Sequence, residues 1–261
     1  MLRKRIIFTL LYDNGQFMLS RNFRLQKVGD IGWLQKNYNF SHIAFSIDEL
    51  IVLDVSRGER NFSNFCNCLK KLTRGCFVPI SAGGGIRNLE QAKELLRSGA
   101  DKIVVNTPVF RDKEFIIELA SEFGKQCVVA SIDLKKDQQN EYSIMIENGT
   151  KAVEGDTKSL LEGLMNLPVG EIYLNSMDRD GTGQGYDLHI LGLLPKNLQV
   201  PVIMAGGVGN SKHLAEGLII EAVDATATAH LFNFIGNGLE VSRMELIQEG
   251  FNLASWPKNI F

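Results

Sequence analysis

Short apolar runs alternate along the chain with amphipathic segments, and each run has the length and β-branched content of a buried parallel strand. These runs predict strands at residues 6–11, 50–54, 78–82, 102–106, 127–133, 171–175, 200–205 and 223–228. Apolar residues at helical spacing, each behind a polar capping residue, predict helices at 89–98, 112–123, 157–165 and 211–219. This alternation over 261 residues predicts one (β/α)8 barrel domain that covers residues 1–261.

An internal repeat strengthens the prediction of a barrel. Residues 79–88 are echoed by residues 201–210, about half a chain later, and an amphipathic segment follows each copy. By the same offset, the strand at 6–11 corresponds to residues 128–133. Insertions after the first strand (12–30) and after the fifth (135–150) also fall at equivalent positions. We therefore expect a barrel built from two similar halves.

Glycines and short polar residues follow several of the predicted strands. A glycine backbone can approach an oxyanion closely and present its N–H group, and helix N-termini attract anions. The pairs Asn106–Thr107 and Ala229–His230 are expected to open the next helices. The candidate phosphate-binding residues are Gly84, Gly85, Asn106, Thr107, Asp180, Gly181, Thr182, Gly206, Gly207, Ala229 and His230. Two such loop pairs predict either a long bisphosphorylated metabolite or a smaller phosphosugar that uses one site.

Composition narrows the classes of protein that remain. The formal net charge of −2 argues against a general nucleic-acid binder. No apolar run approaches the roughly 20 residues that span a bilayer, and the N-terminus does not have the pattern of a signal peptide. The four cysteines do not have metal-site spacing, so we expect reduced thiols, no metal or other cofactor, and a cytoplasmic location.

Six motifs together resemble the cyclase subunit of imidazole glycerol phosphate synthase, over almost the whole chain. They lie at residues 5–7, 48–54, 83–87, 99–103, 176–182 and 232–234. The resemblance implies that a separate glutaminase subunit docks on the bottom of the barrel and releases ammonia from glutamine. The ammonia then passes a charged gate, crosses the barrel and reacts at the top with a bisphosphorylated ribulosyl intermediate. The implied products are imidazole glycerol phosphate and an aminoimidazole carboxamide ribotide.

The resemblance maps the gate onto Arg5, Glu49, Lys102 and Glu171, and all four residue types are present. These residues begin predicted strands, so they should meet at the bottom of the barrel. Two acids and two bases can form a ring of salt bridges there. The alternative interpretation is an ion-pair network with a purely structural role.

The catalytic pattern of the family is incomplete in this sequence. The family uses two aspartates as general acid and base, and one of them matches Asp133. The other aligns with Leu11, which cannot transfer a proton, and Asp13 could replace it only if its loop folded back. Leu19 falls where the family has a lysine, and His230 falls where it has a phosphate-binding serine.

This selective loss is most similar to the divergent second copy of the subunit that is found beside surface-polysaccharide genes. In that subgroup the complex with glutaminase is thought to deliver ammonia to an ATP-dependent sugar amidotransferase. The main alternative is the authentic cyclase of histidine biosynthesis, which Leu11 opposes. A phosphosugar isomerase of the related half-barrel family and a structural adaptor remain as weaker alternatives.

Overall fold

The computed structural model describes residues 3–38 and 40–255, and β-strands dominate its centre. In chain order the strands are β1 (Arg5–Asp13), β2 (Gln16–Arg21), β3 (Arg24–Gly29), β4 (Glu49–Asp54), β5 (Ile80–Gly83), β6 (Lys102–Val105), β7 (Val128–Lys136), β8 (Tyr142–Ile146), β9 (Lys151–Ala152), β10 (Glu171–Ser176), β11 (Val202–Ala205) and β12 (Ala225–Thr228).

The sheet closes on itself as a parallel barrel. Strands β1, β4, β5, β6, β7, β10, β11 and β12 pair in that order, and every one of these pairings is parallel. Strand β12 pairs with β1 across the seam, with Arg5 opposite Ala225 and Phe8 opposite Thr228. The (β/α)8 barrel predicted from the alternation of strands and helices is confirmed.

Helices surround the barrel. They are α1 (Ile31–Asn37), α2 (Phe62–Thr73), α3 (Leu89–Arg97), α4 (Thr107–Arg111), α5 (Lys113–Phe123), α6 (Thr157–Glu162), α7 (Ser211–Leu218) and α8 (Gly238–Gln248). The helix predicted at 157–165 is wrong in its last three residues, because from Gly163, a poor helix former, the chain tightens into the 3-10 helix Gly163–Asn166. Among the described residues, none of the helices is long and apolar enough to cross a membrane.

Both predicted insertions form β-hairpins that extend a barrel strand. Strands β2 and β3 pair antiparallel beyond β1, and strands β8 and β9 do the same beyond β7. The predicted strands at 6–11 and 127–133 were therefore too short at their C-terminal ends. The two hairpins occupy equivalent places in the two half-barrels, as the repeat indicated.

The repeat is also visible in matching hydrogen bonds. A carboxylate oxygen of Asp101 accepts from the Ile80 backbone N–H at 2.8 Å, and Asp224 accepts from Val202 at 2.9 Å. Asn88 and Asn210 cap helices α3 and α7 through their side-chain oxygens. The same tie between a strand and its neighbouring loop thus recurs half a barrel away, which confirms the two-fold internal similarity.

Apolar side chains fill two layers on either side of the strands. Because successive side chains of a strand point to opposite faces, alternate residues face the helices and the barrel axis. The inner layer consists of Ile7, Ile51, Val104, Val129, Tyr173, Ile203, Ala205, Ala225 and Ala227. The barrel interior is therefore packed with apolar groups between its two ends.

A buried ion pair fixes the last helix to the barrel. Arg243 of α8 is 2% exposed, and two of its guanidinium nitrogens donate to Asp48 at 2.8 Å each. Asp48 also accepts from the Ile6 backbone N–H, and Arg243 donates to the Ala254 carbonyl. These contacts join α8, the start of β1 and the chain beyond α8.

Replacing Arg243 by methionine should destabilise the fold by about 3–5 kcal/mol, because it leaves the Asp48 carboxylate without its partner. Chemical denaturation monitored by circular dichroism measures the loss. The matched control is Lys70→Met, which removes the exposed pair between Lys70 and Glu94 and should cost less than about 1 kcal/mol. Equal losses for the two variants would contradict a special role for the buried pair.

Candidate functional site

A cavity opens at the C-terminal ends of the barrel strands, where (β/α)8 enzymes hold their ligands. It is lined by Leu11, where the family's second aspartate is missing, and by the predicted site residues Gly84, Gly85, Asn106, Thr107, Asp133, Asp180, Gly181, Gly206, Gly207, Ala229 and His230. Thr182 is not among the lining residues, because its hydroxyl donates to the Arg179 carbonyl at 2.7 Å. The structure thus brings both glycine loops to one end of the barrel.

The glycine loops approach other backbone segments closely. Gly84 has a φ of +116°, and a Cβ there would lie 2.2 Å from the Asp54 carbonyl oxygen. Gly207 has a φ of +106°, and a Cβ there would lie 2.1 Å from the Gly185 carbonyl oxygen. The fold therefore requires glycine at both positions whether or not a phosphate binds, and the anion-binding role stays a prediction.

The two predicted helix openings differ. Thr107 begins α4 as expected, but the chain after His230 forms turns, and α8 begins only at Gly238. The expectation that Ala229 and His230 open a helix is therefore wrong. Residues 231–237 include glycine and two asparagines, which favour turns over helix.

Asp133 ends the part of β7 that faces the cavity. One carboxylate oxygen accepts from Asn175 Nδ2 at 2.8 Å, and the other accepts from Asn106 Nδ2 at 3.3 Å. Burial raises the pKa of Asp133 to about 7; the charge of Asp180 also raises it, and the Asn175 hydrogen bond opposes the rise. A carboxyl group with such a pKa can accept or donate a proton near neutral pH.

Asp180 ties the first hairpin to the opposite loop. Its carboxylate accepts from the Ser20 hydroxyl and from the Phe23 backbone N–H, and its carbonyl accepts from the Asn22 N–H. A Cβ at Gly181 would lie 1.8 Å from the Ser20 carbonyl oxygen, so the two segments touch. The hairpin is thereby held against the cavity, which it helps to line.

The position equivalent to Asp133 in the other half-barrel carries no carboxylate. Leu11 lies there, 9% exposed, and its side chain lines the cavity. Asp13 lies at the turn between β1 and β2, where it pairs with Gln16, and it is not among the residues that line the cavity. The alternative in which Asp13 folds back to replace the missing acid is therefore not what the structure has.

At the other end of the barrel, four charged side chains form a closed ring. Arg5 contacts Glu49 at 3.1 Å and Glu171 at 2.7 Å. Lys102 contacts the same two carboxylates at 2.9 and 2.8 Å. The charges therefore alternate around the barrel axis at the N-terminal ends of β1, β4, β6 and β10.

The ring is largely removed from water. Glu49 is 2% exposed, and it also accepts from the Ser81 hydroxyl. Burial alone would lower the pKa of Arg5, but the carboxylates of Glu171 and Glu49 outweigh it and raise the pKa. Each carboxylate of the ring lies within salt-bridge distance of both cations, and such pairing is the condition under which buried charges are tolerated.

Comparison with known proteins identifies the family. A family model described as Histidine biosynthesis protein matches residues 25–235. A protein of Parasynechococcus marenigrum (strain WH8102), provisionally named imidazole glycerol phosphate synthase subunit hisF2, is 47% identical over 258 residues, which cover 98% of this chain and 96% of the relative. This chain belongs to the HisF family.

Two further relatives agree with that assignment. The imidazole glycerol phosphate synthase subunits HisF of Clostridium botulinum strains 657 / Type Ba4 and Okra / Type B1 are 36% and 35% identical over 255 residues. Each match covers 97% of this chain and 99% of the relative. The resemblance to this family, and to its divergent second copy in particular, is confirmed, and the chain is a HisF-like subunit.

Sequence reasoning missed several residues of the cavity. Two of them, Tyr173 and Asn175, follow Glu171 at alternate positions of β10. Asn175 donates a hydrogen bond to Asp133, and the Tyr173 hydroxyl lies 3.3 Å from that of Thr9. Strand alternation inward from Glu171 of the charged ring would have found them. No sequence pattern indicates that Ser20 and Arg60 belong to the cavity, because only the folding of their loops brings them there.

The stability of this HisF-like barrel should depend on pH through Asp133. The pKa of Asp133 rises from 3.8 to about 7 on folding, so folding takes up a proton between about pH 4 and pH 7. The free energy of unfolding of the wild type, minus that of Asp133→Asn, should therefore fall as pH rises through that window. The fall should be at most about 1.4 kcal/mol per pH unit, and the difference should be constant above the window. Urea denaturation of both proteins at pH 4–8 measures this. A difference that does not change with pH would contradict the prediction.

Proposed function

We propose that this chain receives ammonia from a glutaminase partner and passes it through the barrel for the amidation of a surface-polysaccharide sugar. The partner docks at the bottom of the barrel, around the ring formed by Arg5, Glu49, Lys102 and Glu171. A separate ATP-dependent amidotransferase uses the ammonia. The observation that carries the proposal is that the charged ring is complete while the cavity has leucine at position 11.

The ring supports a gate because its geometry is closed and its charges cancel. Each cation bridges both carboxylates, so moving one side chain, such as Lys102, breaks two contacts at once. Beyond the ring lies the apolar inner layer, which disfavours a charged ammonium ion more strongly than neutral ammonia. A passage from ring to cavity would therefore deliver ammonia in its neutral form.

Leu11 supports delivery of ammonia rather than cyclisation. The family reaction needs two groups that transfer protons, and in this cavity Asp133 has no carboxylate opposite it at the repeat-equivalent position. The carboxylate of Asp180 already accepts hydrogen bonds from the Ser20 hydroxyl and the Phe23 backbone N–H. The residues proposed to pass ammonia are thus all present, whereas the pair of proton-transferring groups needed for cyclisation is not.

A second candidate is the cyclase of histidine biosynthesis. Asp133 favours it, because its pKa of about 7 suits a general acid or base. The Clostridium relatives, which are named as HisF subunits, align along nearly their whole length. This candidate requires another group of the chain to replace the missing aspartate.

Cyclase activity decides between the two candidates. With the bisphosphorylated ribulosyl substrate and excess ammonium salt at mildly alkaline pH, the wild-type rate should be about 10²–10⁴-fold below that of a competent enzyme. Free ammonia bypasses the gate but not the proton transfers. Leu11→Asp should restore part of the rate, and adding Asp133→Asn should abolish the gain.

The matched control is Leu53→Asp, which adds a carboxylate on the neighbouring strand, opposite Leu11 in register. It should not raise the rate, because its carboxylate is not at the position equivalent to Asp133. A wild-type turnover of about 1 s⁻¹ or more would return the chain to histidine biosynthesis.

The activity of the glutaminase partner should rise when it is mixed with this chain, by about 10-fold, which is a common size for coupling between sites. Lys102→Met should weaken that gain or release the ammonia to solution, because the ring loses one cation. Lys70→Met makes the same change on the outer surface and should leave the increase in glutaminase activity unchanged. If the two proteins neither co-purify nor change glutaminase turnover, the proposed ammonia route is wrong.

A further inference from the structure

A hydrogen bond crosses the barrel between the charged ring and the cavity. The hydroxyls of Thr9 and Tyr173 lie 3.3 Å apart, and both side chains are buried. Thr9 belongs to β1 and Tyr173 to β10, and these two strands are not neighbours in the sheet. The contact therefore spans the barrel interior, and neither the ring nor the surroundings of Asp133 include it.

Strand alternation places the pair along the barrel axis. On β1, Thr9 lies between Arg5 of the ring and Leu11 of the cavity wall. On β10, Tyr173 follows Glu171 of the ring, and it also lines the cavity. Residues at alternate positions of a strand point to the same face, so these side chains share the interior. The pair thus forms part of the cavity floor, between the ring and the cavity.

The phenol group of Tyr173 fills the interior at this level. It is the only aromatic side chain of the inner layer among the described residues, and the other members are aliphatic. Strands β11 and β12, which lie between β10 and β1 in the sheet, contribute Ala205, Ala225 and Ala227 to this layer. These small residues leave room for the phenol to reach Thr9. A molecule that moves from the ring to the cavity therefore requires the Tyr173 side chain to shift.

The bond that holds the phenol in place is long and uncharged. Paired hydroxyls usually lie about 2.7–2.8 Å apart, so the contact between Thr9 and Tyr173 is a weak one. Burial raises the pKa of Tyr173, and the charges of Asp133 and Asp180 raise it further, although the hydrogen bond with Thr9 opposes the rise. The hydroxyl is therefore neutral near pH 7. Neutral groups can separate inside an apolar layer without leaving a charge uncompensated there.

We propose that Thr9 and Tyr173 form an inner, uncharged gate that binds one molecule of neutral ammonia as it passes from the ring to the cavity. When the hydroxyls separate, ammonia accepts from one and donates to the other, so two ordinary hydrogen bonds replace one long one. Ammonium has no lone pair with which to accept, and its charge has no counter-charge in the apolar layer. The inference rests on the proposed ammonia route, because the pair lies between the ends of that route.

Closure of the floor is tested with a reporter thiol below the pair. Ile7→Cys places it on β1 between Arg5 and Thr9, at a fully buried position, in a tryptic peptide (6–21) without native cysteines. Mass spectrometry follows its reaction with methyl methanethiosulfonate. Adding Tyr173→Ala should speed the reaction by at least about 10-fold, since access no longer requires the pair to open. Tyr186→Ala, the same truncation in the outer apolar layer, should not. No acceleration by Tyr173→Ala, or equal acceleration by both, would overturn the closure.

Ammonia binding is tested by NMR on the wild-type chain, so a folding defect in Tyr173→Ala leaves the proposal testable. The five tyrosines are isotope-labelled at the ring carbon that bears the hydroxyl, and Tyr173→Phe assigns the signal of Tyr173. That signal should shift saturably with ammonium chloride at mildly alkaline pH, in a titration to about 0.5 M neutral ammonia because so small a ligand binds weakly. At neutral pH the same total salt should shift it much less. No shift, or a shift that follows total ammonium, would overturn the proposed site.

Three controls separate a specific site from a general effect of the salt. Thr9→Val keeps the shape of the side chain without its hydroxyl and should weaken ammonia binding by about 2- to 10-fold. Tyr186→Phe removes a buried hydroxyl that donates to the Ala227 carbonyl and should leave binding unchanged. Trimethylamine accepts a hydrogen bond but cannot donate one, and it should not shift the Tyr173 signal. Unchanged binding in Thr9→Val, or an equal shift with trimethylamine, would contradict the two-hydroxyl site.

Both measurements use the chain without a glutaminase, which keeps them independent of the proposed function. If the thiol and NMR results are negative, glutaminase docking and stimulation are unaffected, and only the inner gate is wrong. If the glutaminase assay fails while Tyr173 still responds to neutral ammonia, the ammonia site stands and the proposed partner is wrong.

Discussion

The parallel closure of the barrel is the constraint on which the rest of the structure depends. When β12 pairs with β1, each of the eight barrel strands has two barrel neighbours, and all their N-terminal ends lie on one face while all their C-terminal ends lie on the other. The charged ring and the cavity follow from this polarity. Arg5, Glu49, Lys102 and Glu171 begin strands and meet at one end, whereas Asp133 and the glycine loops follow strands and meet at the other.

Buried carboxylates have opposite surroundings at the two ends of the barrel. At the ring, Glu49 and Glu171 each bind two cations, so their charges are compensated inside the protein. At the cavity, Asp133 receives only amide hydrogen bonds and faces the negative charge of Asp180, so its pKa rises. A compensated group suits a structural or gating element, whereas an uncompensated one is available for proton transfer or ligand contact.

Much of the fold was accessible from sequence, because period-2 and period-3.6 patterns report directly on burial. The eight strands and the repeat of 79–88 at 201–210 were predicted correctly. The insertion hairpins, the break at Gly163 and the turns after His230 were not, although each arises from local turn or helix-breaking residues that the search for long periodic segments passed over. The site residues Gly84, Asn106, Asp133 and Gly207 were predicted to meet, and they do.

The sequence by itself determined the barrel, its two-fold repeat, the family and the four residue types of the ring. It also showed that position 11 lacks a carboxylate. Only the tertiary structure decided that the ring closes, that Asp180 is tied to Ser20 and Phe23, and that Arg60 packs on Gly85. The physical reason is that local patterns specify which face of an element is buried. Distances between side chains on different loops depend on how all the elements pack together.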